Sequence, residues 1–365
     1  MSAEGRALDA PHRRRDRGSR VLEKLAVTAY ATASWIVAHV PGPLARWVIG
    51  TGSQAGYLLW PTKRRWSNAN FGHVLGREPD DPRVRRLALR AYRSYAGYLV
   101  ETMRLESQTG EVASSRVIQE DLDYIEEAWK ASPGGLIFAL GHVGNNEAVA
   151  AAVADRGWPI NVVADDSSFP EMFERFRRLR EAWGVHVIPW RNLREIYTVL
   201  RRREMLALLI DWGYRADGIP VRLFGAWTTL PAGPATLAAK TGSVILPVEI
   251  RRTPEERFHV AYAPIVRVAS SSPADLQRAT QAIADSLEAT LGAAPEQWYS
   301  FKPMWPATDA ETAELEARAA AMLADDGARS RVRDDPPAPA AADTSSVDGA
   351  TDAGLIDTHL RSAEA

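Results

Sequence analysis

The chain has 365 residues, with 44 lysines and arginines against 46 acids, a formal charge of −2, and no cysteine. Without cysteine, thiolate nucleophiles, disulfide scaffolds and thiolate-bound zinc or iron–sulfur clusters are excluded. The small net charge hides a division: from Ala307 onward there are 13 acids, five bases and no aromatic residue, a formal −8, which leaves +6 on residues 1 to 306.

Residues 1 to 20, with "HRRRDRGSR" at 12 to 20, read as a basic, flexible arm. The uncharged run from Ala26 to Val40 is 15 residues and the run from Trp47 to Trp60 is 14. A membrane span needs about 20 apolar residues, so both runs are too short to cross. Bounded by tryptophans and arginines, residues 21 to 60 read as helices lying in a membrane interface, the alternative being two buried helices. Further arginines cluster in "RVRRLALRAYR" (83 to 93) and "ERFRRLREAW" (174 to 183). An anionic membrane surface suits these patches; nucleic acid, drawn by the same charge, is not the expected partner.

Helical spacing of three and four dominates up to about residue 131, as in "VRRLALRAYRSYAGYLVETM" (84 to 103). Thereafter short apolar runs at 135–140, 159–164, 185–189, 205–210, 219–224 and 243–252 alternate with helical stretches at 145–156, 170–183, 192–203 and 232–241. This alternation predicts an α/β fold with a mostly parallel central sheet and helices on both faces. "RFHVAYAPIV" (257 to 266) adds a late antiparallel strand, followed by a helix near 273–291 and the aromatic "PEQWYSFKPMW" (295 to 305). The body is thus expected to be one domain over 21–306. Residues 307–365 form an acidic, mostly disordered tail with one helix in "DAETAELEARAAAML" (309 to 323).

Ligands of such sheets sit beyond the carboxyl ends of the strands, and His142 follows "LIFAL" (136 to 140) there, with Glu147 five places on. The spacing alone says little, since about one such pair is expected by chance and three occur, the others being His73 with Glu78 and His359 with Glu364. On a continuous helix five residues turn the chain about 500°, leaving the side chains roughly 140° apart. If His142 instead sits in a strand-to-helix turn eased by Gly141 and Gly144, Glu147 can fold back and orient the imidazole. On residues alone the ordinary reading is the favoured one: Asn145 caps the helix, Glu147 complements its dipole and His142 is a loop residue. Asp211 follows another apolar run and should lie near His142. "GTGSQAG" (50 to 56) lacks the strand and spacing of a dinucleotide site.

"GHVGNNE" (141 to 147) resembles the histidine–acid motif of the bacterial lauroyl/myristoyl acyltransferase family, which includes phosphatidylinositol mannoside acyltransferases of actinobacteria. "FRRLREAWGVHVIP" (176 to 189) is similar to the family's stretch after its second strand, with Arg180 four residues before Gly184. The block "LLIDWGYRADGIPVRLFGAWTTLPAGPATLAAKTGSVILPV" (208 to 248) and "PEQWYSFKPMW" resemble its most specific segments. Departures are Glu147, where the mannoside acyltransferases usually carry Asp, and Asn146, where they carry Trp.

The resemblance implies a glycerolipid-acyltransferase-like fold and transfer of a fatty acyl group from acyl-CoA or acyl carrier protein to a glycolipid hydroxyl. It further implies a peripheral location on the cytoplasmic face of the membrane, with no metal and no cofactor beyond the co-substrate. His142 would be the general base, Glu147 its orienting acid, and Asp211 a charge-stabilising or acceptor-binding group. Arg180, Arg177 and Asn145 are candidates for oxyanion or phosphate contacts, and Pro231 with Gly233 for a turn that approaches a ligand. A lipid-binding protein without catalysis and a thioester or lipid hydrolase are the alternatives.

Overall fold

The computed structural model describes residues 17–166 and 169–334. The basic arm expected up to residue 20 lies outside the described residues except for the start of a helix at Arg17, and the acidic segment from 335 onward lies outside them too.

Four helices open the chain: α1 (Arg17–His39), α2 (Gly42–Leu59), α3 (Pro61–Leu75) and α4 (Pro82–Leu105). Pro61 and Pro82 occupy first helical positions, where the missing N–H costs nothing. Asp81 caps α4, its Oδ1 accepting from Arg83 N at 2.7 Å. α1 and α2 pack on α4 and turn Leu22, Trp35, Trp47 and Trp60 outward, with Leu59 82% exposed. Over Val21–His39, α1 is long and apolar enough to cross a membrane by length and composition, because the helix continues past the uncharged run toward the N-terminus. α1 is nevertheless tied to the body: buried Glu23 accepts from Glu171 N at 2.8 Å at the start of α8 (Pro170–Ala182), whose own N-cap, Phe169, offers no side-chain acceptor.

After α5 (Gly110–Ser114), β1 (Val117–Gln119) and α6 (Leu122–Lys130) comes the expected alternation: β2 (Leu136–Leu140), α7 (Asn146–Asp155), β3 (Ile160–Ala164), α8, β4 (His186–Pro189), α9 (Leu193–Arg201) and β5 (Met205–Leu209). β6 (Ile219–Leu223), β7 (Ala226–Leu230), α10 (Gly233–Thr241), β8 (Val244–Arg252), β9 (Phe258–Tyr262) and α11 (Pro273–Ala293) complete the body. The main sheet has seven strands in the order β1-β9-β8-β2-β5-β3-β4, with parallel pairing except between β8 and β9. β2 lies near its middle and is buried along its whole length. Its side chains alternate between two cores: Ile137 and Ala139 meet α9, α10 and α11, while Leu136, Phe138 and Leu140 meet α6 and α7. Helices therefore cover both faces.

Two expectations change. The apolar run at 219–224 does not join the sheet; β6 pairs antiparallel with β7 in a separate hairpin. Its two-residue turn places Phe224 at φ 49° and Gly225 at φ 72°, the primed geometry that matches strand twist. The second concerns the segment after 306: the helix expected at 309–323 is present and extends to Asp334. α12 (Asp309–Asp334) docks on α11 and the hairpin, burying Leu315 and Ala319, and Arg318 donates to the carbonyls of Ala216 and Gly218 at 2.6 and 2.7 Å. A capping box starts it: Thr308 Oγ1 accepts from Glu311 N at 3.2 Å and Glu311 Oε2 from Thr308 N at 3.1 Å.

Candidate active site

The β2–β5 register builds the centre of the site. Leu140 pairs with Leu209, so the residues two places beyond each strand end, His142 and Asp211, emerge side by side at the carboxyl edge of the sheet. His142 Nδ1 lies 2.6 Å from Asp211 Oδ1, and the backbone N–H of His142 donates to Asp211 Oδ2 at 2.9 Å. Trp298, fully buried, donates its indole N–H to the same Oδ2 at 2.8 Å. With Asp211 fixed from three directions, the imidazole is held by Nδ1 and its Nε2 is left for chemistry.

The turn between β2 and α7 needs its glycines. A Cβ on Gly141 would stand 2.8 Å from Leu287 Cδ1 and 3.3 Å from Asp211 Oδ2, and Gly144 has φ +66° with Ile250 Cγ2 2.6 Å from where its Cβ would be. Tyr299 N–H donates to the His142 carbonyl at 2.9 Å, pinning the turn to the C-terminal aromatic segment.

Burial pulls the His142 pKa down, but the charge of Asp211 and the hydrogen bond to it outweigh that and hold it above the ordinary imidazole value. Burial likewise pushes the Asp211 carboxyl up, and the imidazole with its N–H donors brings it below the usual carboxylate range. The pair favours imidazolium against carboxylate, the charge distribution a general base reaches after taking a proton.

His142 opens into a cleft of about 720 Å³ lined by Tyr95, Tyr98, Trp212, Tyr299 and Lys302. Trp212 stacks beside the imidazole, centroids 5.7 Å apart and planes within 12°, and Lys302 Nζ stands 3.9 Å from the Trp212 ring centroid. Asn146 lines this cleft and also a second, apolar cavity of about 770 Å³ between α7 and the sheet, walled by Phe138, Leu140, Val149, Val162 and Ala207. Among the described residues no three His, Asp or Glu side chains converge where a cation could be held.

The carboxylate partner of His142 is therefore Asp211 and not Glu147. Glu147 sits in the first turn of α7 and forms a two-point ion pair with Arg180, Arg180 Nε to Oε2 at 2.8 Å and Nη2 to Oε1 at 2.6 Å. Both side chains are largely buried at the cavity wall, and Arg180 holds the Glu147 carboxyl below its usual range against the effect of burial. Arg177 does not reach the site; it lies between Glu174 and Glu181 on the outer face of α8, bonded to both. Asn145 is fully buried, its Oδ1 accepting from Ala148 N at 3.1 Å and its Nδ2 donating to Glu101 at 3.2 Å, so it is a helix cap with its amide spent. Pro231 borders a separate hollow beside Arg215, and Gly233 opens α10; neither lines the His142 cleft.

Trp298, Tyr299, Lys302 and Trp212 carry no site role in the sequence reading. The available signal was local: "PEQWYSFKPMW" is an unusually aromatic stretch, and Trp212 directly follows Asp211.

Comparison with known proteins shows what this chain is similar to. The family model described as bacterial lipid A biosynthesis acyltransferase matches residues 13–306. The chain is 28% identical over 283 residues to a phosphatidylinositol mannoside acyltransferase of Mycolicibacterium smegmatis, covering 76% of this chain and 90% of that protein. It is 25% identical over 300 residues to a phosphatidylinositol mannoside acyltransferase of Mycobacterium tuberculosis, covering 80% of this chain and 92% of the relative. The matched span takes in the whole sheet, the His142–Asp211 edge and the aromatic segment that fixes Asp211, and the chain belongs to the bacterial lipid A biosynthesis acyltransferase family.

Proposed function

We propose that the protein moves a fatty acyl group from a thioester, acyl-CoA or acyl carrier protein, to a hydroxyl of a membrane glycolipid. The acceptor suggested by the relatives' names is a phosphatidylinositol mannoside. The observation that carries this reading is the imidazole held by a buried carboxylate in a cleft whose wall residue Asn146 also lines an apolar cavity. The acyl chain lies in the cavity and the thioester carbon reaches the cleft. His142 Nε2 takes the acceptor proton as the hydroxyl oxygen attacks; Asp211 fixes the tautomer and stabilises the imidazolium that forms. The proton returns to the thiolate as the C–S bond breaks, and no covalent enzyme intermediate is needed.

Arg180 is committed to Glu147 and the Val143 amide to the Gly141 carbonyl, so neither is free to hold the carbonyl oxygen. The Gly144 amide and the Lys302 ammonium line the cleft and are the better candidates. Glu147 and Arg180 support the site by holding the start of α7 against α8.

The outward apolar residues of α1 and α2 lie in the membrane interface, with the enzyme peripheral on the cytoplasmic face. Packing of α1 against α4 and α8 favours an interfacial position over a crossing one. His142→Ala tests the whole reading: transfer should vanish while sedimentation with vesicles is kept, and product should require the acceptor. Full activity in this variant, or acyl release that ignores the acceptor, would sink the assignment.

A further inference from the structure

Along α4, Arg90, Arg93, Gly97 and Glu101 fall at spacings of three and four, on one helix face. α2 contributes Arg46 and the end of β8 contributes Arg252, and together these residues border an open hollow of about 630 Å³. Four guanidinium groups and two carboxylates, Glu101 and Glu256, face it. The carboxylates are taken: Glu101, 3% exposed, receives Arg252 through two hydrogen bonds at 3.0 and 2.9 Å and the Asn145 amide at 3.2 Å, while Glu256 pairs with Arg46 at 2.5 Å. Arg90 and Arg93 have no ion pair or hydrogen bond through their guanidinium groups among the described residues. Two uncompensated, fork-shaped donors thus point at a concave space whose floor lacks a side chain at Gly97, where Arg252 Nη1 lies 3.9 Å from the position of a Cβ.

We propose that this hollow is a binding site for a phosphate ester, held by Arg90 and Arg93 and backed by Arg252. Planar guanidinium pairs match the oxygens of a phosphate, and the two surplus charges match its one or two negative charges. α2 turns its apolar face outward beside the hollow, which places the phosphate at headgroup depth when that face enters a lipid surface; an anionic lipid headgroup is the favoured source. The hollow also shares a wall with the catalytic cleft. Arg252 Nη1 donates to Ser94 Oγ at 3.3 Å, Ser94 Oγ lies 3.4 Å from the Tyr299 hydroxyl, and Tyr299 lines the cleft. A headgroup seated here lies beside the reacting centre without touching His142. This site is additional to the acyl-transfer reading and is read by binding alone.

The test uses the full-length protein in the absence of acyl donor. Arg90→Gln with Arg93→Gln is compared with Arg194→Gln with Arg201→Gln on α9, which removes the same charge from exposed arginines elsewhere. Binding is measured to phosphatidylcholine vesicles with and without phosphatidylinositol, and in solution to coenzyme A and to inorganic phosphate. The first pair should weaken binding to the phosphatidylinositol vesicles about tenfold, the control pair less than about twofold. Gly97→Leu, which fills the hollow without altering charge, should behave like the first pair. Loss confined to coenzyme A and inorganic phosphate also supports a phosphate site, with a soluble ester as its occupant. Equal effects of the two arginine pairs on every probe would overturn the proposal, as would unchanged binding in Gly97→Leu.

Discussion

Asp211→Asn tests the proposed chemistry most sharply, because the surrounding hydrogen bonds dictate how the new amide must sit. Oδ2 of Asp211 accepts two N–H donors, from the His142 backbone and the Trp298 indole, at 2.9 and 2.8 Å. An asparagine must keep its carbonyl oxygen there, since the NH₂ group would face both donors. Its NH₂ group then occupies the Oδ1 position, 2.6 Å from His142 Nδ1. The imidazole must answer with an unprotonated Nδ1, which puts its hydrogen on Nε2 and removes the base. The comparable substitution in serine proteases, where the same tautomer is forced, lowers turnover about 10⁴-fold, equivalent to about 5.5 kcal/mol of transition-state stabilisation.

The assay is steady-state transfer of labelled acyl from acyl-CoA to a phosphatidylinositol mannoside, over a range of pH. In the unmodified enzyme the activity should rise with pH through a midpoint above the ordinary imidazole value, because Asp211 favours the imidazolium and the proposed mechanism needs the neutral imidazole. In the variant the residual activity should have its midpoint shifted toward lower pH. Retention of more than about a tenth of the activity, or an unmoved acid limb, would refute the argument that this carboxylate sets the tautomer.

Further outcomes follow from the same geometry. Stability carries the pH sign of the pair: the raised His142 pKa stabilises the native state below the unfolded imidazole value and this is lost as pH rises through the folded one, while the lowered Asp211 pKa stabilises above the unfolded carboxylate value and is lost as pH falls through the folded one. Urea titrations should therefore show the gap between the protein and Asp211→Asn narrowing as pH rises beyond neutrality. Glu147→Gln should destabilise the fold by about 3 kcal/mol, leaving Arg180 largely buried without its counter-charge, and it should lower the melting temperature before it lowers turnover per folded molecule. A folded Glu147→Gln that loses as much turnover as Asp211→Asn would argue for a direct catalytic part. Ala207→Leu narrows the apolar cavity and should shift acyl-CoA preference toward shorter chains, read as a change in the ratio of kcat/KM for long and short donors; an unchanged ratio would place the acyl chain elsewhere. Arg318→Ala removes two hydrogen bonds to hairpin carbonyls and should make α12 cleavable by trypsin at lower protease concentration, checked by mass of the product.

The apolar runs and their breakers determined the main strands, the helices between them and the position of His142 past the end of a buried strand, because burial on both faces leaves a readable hydrophobic stretch and a loop residue just beyond it lies at the sheet edge. Thr308 and Glu311 likewise carried a local helix start, legible once a capping box is sought. The partner of the imidazole was not a local matter. Glu147 is near in sequence, but its place in the first turn of α7 turns it toward Arg180. Asp211, 69 residues away, meets His142 only because β2 and β5 pair in the register that sets Leu140 against Leu209. Trp298 joins them from the far end of the chain for the same kind of reason. Local propensity is written in a few neighbouring residues, whereas the choice between two carboxylates depends on which strands lie side by side, and packing of the two cores against the sheet fixes that.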